Sequence, residues 1–182
     1  MQLKYPRSRQ YNNRPHSVYV AYFGNNLAKA GIMSDSRGRE RLYEQGAILY
    51  AIIGSFPNAT VAQNLENRLI QKGLKNSITK KQKSTVFEKD VNIAEEKNVF
   101  TNILKKLGYE NVEIVSNLDM FFFGAYPKQP IESVGNNVIS GRIAGVIGRY
   151  VVLENNERYY GTWLSDTFGH MIDIGSDIIL ID

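Results

Sequence analysis

Ser17 to Phe23 alternates and is rich in Val and Tyr, a pattern that predicts a β-strand. Gly24-Asn25-Asn26 follows, three residues that tolerate positive φ and so predict a tight turn. Leu27 to Ile32 is the expected returning strand. Ser36 suits the N-cap of a helix running through Glu44, with Gly46 as its stop. Ala47 to Phe56 is almost continuously apolar and predicts a buried central strand. Pro57-Asn58 turns the chain, and Asn58 or Thr60 caps a helix through Lys72, stopped by Gly73. On that helix Val61, Leu65 and Leu69 recur every four residues as the predicted buried stripe. Ala62 lies beside the stripe and Glu66 on its shoulder. Lys80 to Ser84 reads as a charged loop. Asp90 to Leu107 reads as a further helix with Phe100, Ile103, Leu104 and Leu107 on its apolar face and Gly108 at its end.

From Val112 onward the pattern changes to short alternating segments separated by Gly and Asn: VEIV, MFFFGAY, a long run ending in YYGTWL, and MIDIGSDIILI. Such spacing predicts a small barrel or a curled sheet. Gly145 to Leu153 and Arg158 to Trp163 are expected to pair as strands through Glu154-Asn155-Asn156-Glu157. The fold class is therefore α+β, with residues 1–115 forming an α+β domain behind a basic N-terminal arm and residues 116–182 a β-rich module. Trp163, Tyr159 and Tyr160 fit either an aromatic binding face or the core and rim of a barrel.

Composition removes some chemistry. The 182-residue chain has no cysteine, which excludes disulfides, thiol nucleophiles and cysteine-held zinc and fits a reducing, cytoplasmic setting. Two histidines do not suit a histidine-rich metal site. The start of the chain lacks an apolar segment of the kind a secretory signal needs, and no apolar run is long enough to span a bilayer, so no membrane partner is expected. The formal net charge of +4 is unevenly spread. Lys4, Arg7, Arg9, Arg14, Lys29, Arg37, Arg39 and Arg41 are opposed over the same stretch only by Asp35 and Glu40. No acid lies between Glu66 and Glu88, where Arg68, Lys72, Lys75, Lys80, Lys81 and Lys83 stand. After Tyr109 the balance turns acidic. A cationic front half fits a polyanion as partner, and it equally fits a solvated basic surface.

With those residues in place, the front half resembles the GIY-YIG nuclease superfamily. Ser17-Val18-Tyr19 stands at its GIY position, Lys29-Ala30-Gly31 at YIG, Arg41 on the first helix and Glu66 on the second. More closely the chain is similar to a bacterial family called domain of unknown function 2797. The segments that match are VYV, KAG, Arg41 ten residues past Gly31, Gln45-Gly46-Ala47, Leu65-Glu66 with Leu69, Tyr126-Pro127, and Gly145 to Leu153. The likeness spans roughly residues 17 to 175. Lys29 replaces the superfamily's second tyrosine, as in subgroups with a KIG-type motif. Many relatives also carry an upstream cysteine-bearing segment, which this chain lacks.

The resemblance implies a small antiparallel sheet flanked by helices and a metal-dependent phosphodiester hydrolase acting on nucleic acid, DNA before RNA. It implies Glu66 as ligand of one Mg²⁺ or Mn²⁺, with no zinc, Arg41 as a fork donor to phosphate, and Tyr19 as general base or water-orienting group. Lys29 would supply a cationic field beside Tyr19 or contact phosphate directly. Arg37, Lys72, Lys75, Lys80, Lys81 and Lys83 are candidates for the nucleic-acid surface. Each residue also has an ordinary reading. Strand tyrosines such as Tyr19, Tyr22 and Tyr50 usually pack, Arg37 and Arg41 share a helix face that such pairs often only solvate, and a shoulder glutamate often edges a core. Two other functions remain open: a non-catalytic nucleic-acid binder, and a protein-interaction role through the β-rich module.

Overall fold

In the computed structural model, the described residues are 12–87, 92–117, 122–123, 131–133 and 141–164. The arm before residue 12, most of the MFFFGAY segment together with Pro127 after it, and the Met171 to Ile181 segment lie outside them. The fold is α+β, and the described residues include two sheets and four named helices. In chain order the elements are β1 (His16–Tyr22), β2 (Ala28–Ser34), α1 (Glu40–Glu44), β3 (Leu49–Phe56), α2 (Ala59–Gln71), α3 (Lys80–Phe87) and α4 (Ile93–Leu107). Then follow β4 (Val115–Ser116), β5 (Phe122–Phe123), β6 (Ile131–Ser133), β7 (Arg142–Ile147), β8 (Tyr150–Asn155) and β9 (Arg158–Trp163).

The first sheet has the order β2-β1-β3-β4 and is antiparallel throughout. Its hairpin turns at Gly24, Asn25 and Asn26, whose φ values of 96°, 49° and 60° are the ones the sequence anticipates. Glu96 of α4 clasps this turn, accepting from the Tyr22 hydroxyl and from the Asn25 backbone N–H at 3.2 Å. Tyr22 also stacks on Phe100, with ring centroids 5.2 Å apart. Burial and the Glu96 carboxylate together push the Tyr22 phenol well above its ordinary range. Asn58 caps α2 by accepting from the Val61 N–H at 2.9 Å, and Gly108 closes α4 in the left-handed region at φ 89°.

Four expectations need correction. Helix α1 starts at Glu40, not after Ser36: its N-cap is Arg39 with no side-chain cap, and the Ser36 hydroxyl instead bonds Ser34 Oγ at 3.4 Å. Lys80 to Ser84 is not a loop but most of helix α3, whose Val86 and Phe87 are buried at its end. The buried face of α2 is rotated from the predicted stripe and consists of Ala59, Ala62, Glu66 and Leu69, leaving Val61 39% exposed. Gly145 to Leu153 is not one strand, because Gly148 at φ 60° breaks it into the hairpin of β7 and β8. A Cβ at Gly148 would meet the Tyr43 carbonyl oxygen at 2.5 Å and the Gly46 nitrogen at 2.6 Å, so this turn sits against the end of α1.

The second sheet has the order β5-β7-β8-β9-β6, with β6 parallel to β9. One hydrophobic cluster runs through both sheets, from Val18 and Tyr22 to Ile147, Tyr150 and Val152. Phe87 of α3 carries the junction, 5.8 Å from Tyr150 and 6.3 Å from Trp163 by ring centroid. Rings at those separations bury large apolar areas and prefer tilted geometry, as these do. Trp163 is therefore mostly a junction residue, with its indole N–H donating to Ser84 Oγ at 3.0 Å.

Candidate functional site

The site is built on β1 and β2. Tyr19 pairs directly with Gly31, and Ala21 with Lys29. Directly paired residues share a sheet face, as do residues two apart, so Tyr19, Gly31 and Lys29 lie on one face. Tyr19 is fully buried. A Cβ at Gly31 would overlap the Tyr19 ring and hydroxyl, so the glycine of Lys29-Ala30-Gly31 is the space the tyrosine occupies.

Lys29 is half-buried, and burial pushes its amine down to about 8, with the Arg41 guanidinium pushing the same way and the Glu66 carboxylate opposing both. Arg41 lies half-buried on α1, whose Leu42 is anchored in the core. Glu66 is 9% exposed on the inward face of α2, where its Oε2 accepts from Gln63 Nε2 at 2.7 Å. Lys29, Arg41 and Glu66, three of the four residues predicted as catalytic, thus share one electrostatic neighbourhood.

The fourth is joined to them by Gln45, named in the sequence only as part of Gln45-Gly46-Ala47. Its amide donates to the Arg41 carbonyl at 2.9 Å and, in a longer bond of 3.4 Å, to the Tyr19 hydroxyl. The available signal was a glutamine at a helix end beside a left-handed glycine, Gly46 at φ 75°. That position sends the side chain back along its own helix and toward the sheet.

The predicted nucleic-acid residues divide. Arg37, Lys72, Lys75, Lys80 and Lys81 are exposed. Arg37 pairs with Glu44 at 3.1 Å, and the same carboxylate takes Arg149 of the β7–β8 turn at 3.1 Å. Lys72 Nζ donates to the Leu107 carbonyl at 2.9 Å, tying the end of α2 to the end of α4. Lys83 is not on this surface. It is 9% exposed, and burial together with the nearby Lys29 charge pushes its amine down to about 8. Of Tyr19, Tyr22, Tyr43 and Tyr50, the first, second and fourth are fully buried, while Tyr43 is half-buried and keeps some surface.

Glu66 brings one hard oxygen donor group to the neighbourhood. Among the described residues no three His, Asp or Glu side chains gather as a metal-binding group. A single carboxylate fits Mg²⁺ only in the manner of sites that keep several waters and are completed by substrate phosphate.

The protein-family model described as "Protein of unknown function (DUF2797)" matches residues 4–160. The chain belongs to this family. The match runs from before β1 to within β9 and so takes in both sheets and every site residue named above. No curated protein and no solved structure matches the chain. No helix among the described residues is long and apolar enough to cross a membrane.

Proposed function

We propose that this member of the family hydrolyses phosphodiester bonds in nucleic acid, DNA before RNA, on a GIY-YIG-like front half. The cysteine-free chain suits work in the reducing cytoplasm. The observation that carries the reading is the shared neighbourhood of Lys29, Arg41 and Glu66 beside the Tyr19–Gly31 pair. Two cations against one carboxylate leave a surplus positive charge, which suits an anionic substrate. Arg41 offers a planar fork to phosphate oxygens and Lys29 a compact charge. Glu66 would hold Mg²⁺ or Mn²⁺, which supplies charge neutralisation at the scissile phosphate. Tyr19 orients the attacking water through its hydroxyl, and the exposed Lys72, Lys75, Lys80 and Lys81 bind the flanking backbone.

The test is cleavage of labelled single- and double-stranded DNA and RNA with Mg²⁺ or Mn²⁺, comparing wild type with Glu66→Ala. Metal-dependent cutting by wild type is expected to drop at least about 100-fold in the variant, with affinity largely kept. A folded wild type that cuts none of these substrates would sink the reading. A second reading, a non-catalytic nucleic-acid binder, is favoured by the complete burial of Tyr19 and the single carboxylate. Salt-dependent affinity without cleavage is its signature.

A further inference from the structure

Lys83 has a connection that a surface cation would not have. Its Nζ donates to the Gln45 carbonyl at 2.5 Å. The same nitrogen lies 4.4 Å from the Phe23 ring centroid and 5.8 Å from that of Trp163. The next residue, Ser84, accepts from the Trp163 indole at 3.0 Å. One turn of α3 therefore touches the loop that carries Gln45 on one side and the second sheet on the other.

Burying an ammonium is costly even after the surroundings relax. A methionine would fill the same slot between two rings without that cost, so packing alone does not account for a lysine here. What methionine lacks is a donor for the Gln45 carbonyl. That carbonyl belongs to the end of α1, where Gly46 N–H already bonds Tyr43 O at 2.8 Å and Ala47 N–H bonds Leu42 O at 3.1 Å. With its backbone held by Lys83, Gln45 keeps its side chain on the Arg41 carbonyl and the Tyr19 hydroxyl.

We propose that Lys83 and Gln45 are positioning residues for the Tyr19 hydroxyl, and that the second sheet fixes their placement through Trp163 and Ser84. The amide of Gln45 makes the tyrosine oxygen an acceptor, which turns the phenol's own proton away from Gln45. The consequence for turnover rests on the phosphodiester reading; the placement of the hydroxyl does not.

The test uses the full chain with tyrosine labelled at Cζ, the Tyr19 resonance being assigned by its loss in Tyr19→Phe. Lys83→Met and Gln45→Leu are both expected to move the Tyr19 resonance. The Tyr22 resonance should stay, because Tyr22 is held by Glu96 on the opposite face of β1. In both variants kcat should fall about 10- to 100-fold with KM within about twofold. A lower melting temperature with an unmoved Tyr19 resonance would overturn the proposal and leave Lys83 as a helix cap. If Lys83→Met fails to fold, an unmoved Tyr19 in Gln45→Leu overturns it equally. Trp163→Phe keeps a ring and removes the indole N–H, so it should move Tyr19 less and in the same direction. No movement there would remove the second sheet from the proposal. A wild type that cleaves nothing, while the Tyr19 resonance responds as stated, defeats the nuclease reading and supports the positioning.

Discussion

Both sheets bury a tyrosine over a glycine of the neighbouring strand, and they do different things with it. In the first, Tyr19 covers Gly31; in the second, Tyr150 covers Gly161. Each ring is essentially without exposed surface. The packing device is the same, a missing side chain that admits a ring across the strand pair. The surroundings are not. Tyr150 stands among rings, 5.2 Å from Trp163 and 5.8 Å from Phe87. Tyr19 stands beside Gln45, on the sheet face that carries Lys29, whose amine has Arg41 and Glu66 as charged neighbours. Stability alone does not require the charged neighbours, since buried charge can often be replaced by apolar groups without loss. The charged arrangement around Tyr19 therefore points to use, and the aromatic one to bracing.

The largest effects should come from filling the two glycines. Gly31→Ala and Gly161→Ala each force a buried ring aside, and each should cost about 1–3 kcal/mol in denaturant unfolding, the range of an overpacked core. Their effects on the proposed phosphodiester cleavage, measured well below the unfolding transition, should part. Gly31→Ala displaces the Tyr19 hydroxyl and should lower kcat by about 100-fold. Gly161→Ala acts only through the brace and should lower it far less. Equal losses of cleavage in the two variants would erase the distinction between site and brace.

The elements read from sequence and those missed differ in where their signals lie. The hairpin turn at Gly24-Asn25-Asn26, the Asn58 cap and the Gly108 stop are local backbone requirements, and a few adjacent residues state them completely. The inward face of α2 is decided by packing. Val61 and Leu65 mark one stripe by hydrophobicity, yet the sheet receives the small Ala59 and Ala62 and, between them and Leu69, the carboxylate of Glu66. A helix can approach a sheet closely along small side chains, a preference that a count of apolar residues does not register. Helix α3 was hidden for a related reason: Lys80, Lys81 and Lys83 make its sequence look solvated, while only Val86 and Phe87 at its end announce burial. Tyr19, Lys29, Arg41 and Glu66 could be singled out in the sequence through the family resemblance. The link between Gln45 and Lys83 could not, because it is a contact across 38 residues of chain.

A second, smaller effect should separate the buried amines from the exposed ones by pH. Lys29 holds its proton in the folded chain only up to about pH 8, against an ordinary value of 10.5. Between those values the unfolded chain binds more protons at this position, so the Lys29 contribution to stability rises with pH. Below both values each state is protonated and the burial penalty is complete. Lys29→Met removes that penalty. The variant should therefore gain most over wild type at about pH 7.5 and lose part of that advantage by about pH 9.5, by on the order of 1 kcal/mol after allowance for solvent screening. Chemical denaturation at the two pH values measures the change. An advantage that does not shrink would mean that Lys29 is solvated in the folded chain, and the contrast with Lys80 and Lys81 would vanish.

The smallest effect is also the sharpest use of that contrast, because it lies within one run of four residues. Lys80 and Lys81 are exposed, while Lys83 is 9% exposed and held by the Gln45 carbonyl. A lysine that neutralises a phosphate releases counterions, and its loss lowers the salt dependence of binding by about one unit of slope. Lys81→Ala should change stability by no more than about 0.5 kcal/mol, as surface substitutions do. It should nonetheless flatten the plot of log affinity for nucleic acid against log salt. Lys83→Met should do the reverse, leaving the slope unchanged because its ammonium faces Gln45, Phe23 and Trp163 rather than a phosphate. A flattened slope in Lys83→Met, or an unchanged one in Lys81→Ala, would show that burial does not divide this run into site and surface. Charge alone would then describe the front half better than the geometry around Tyr19.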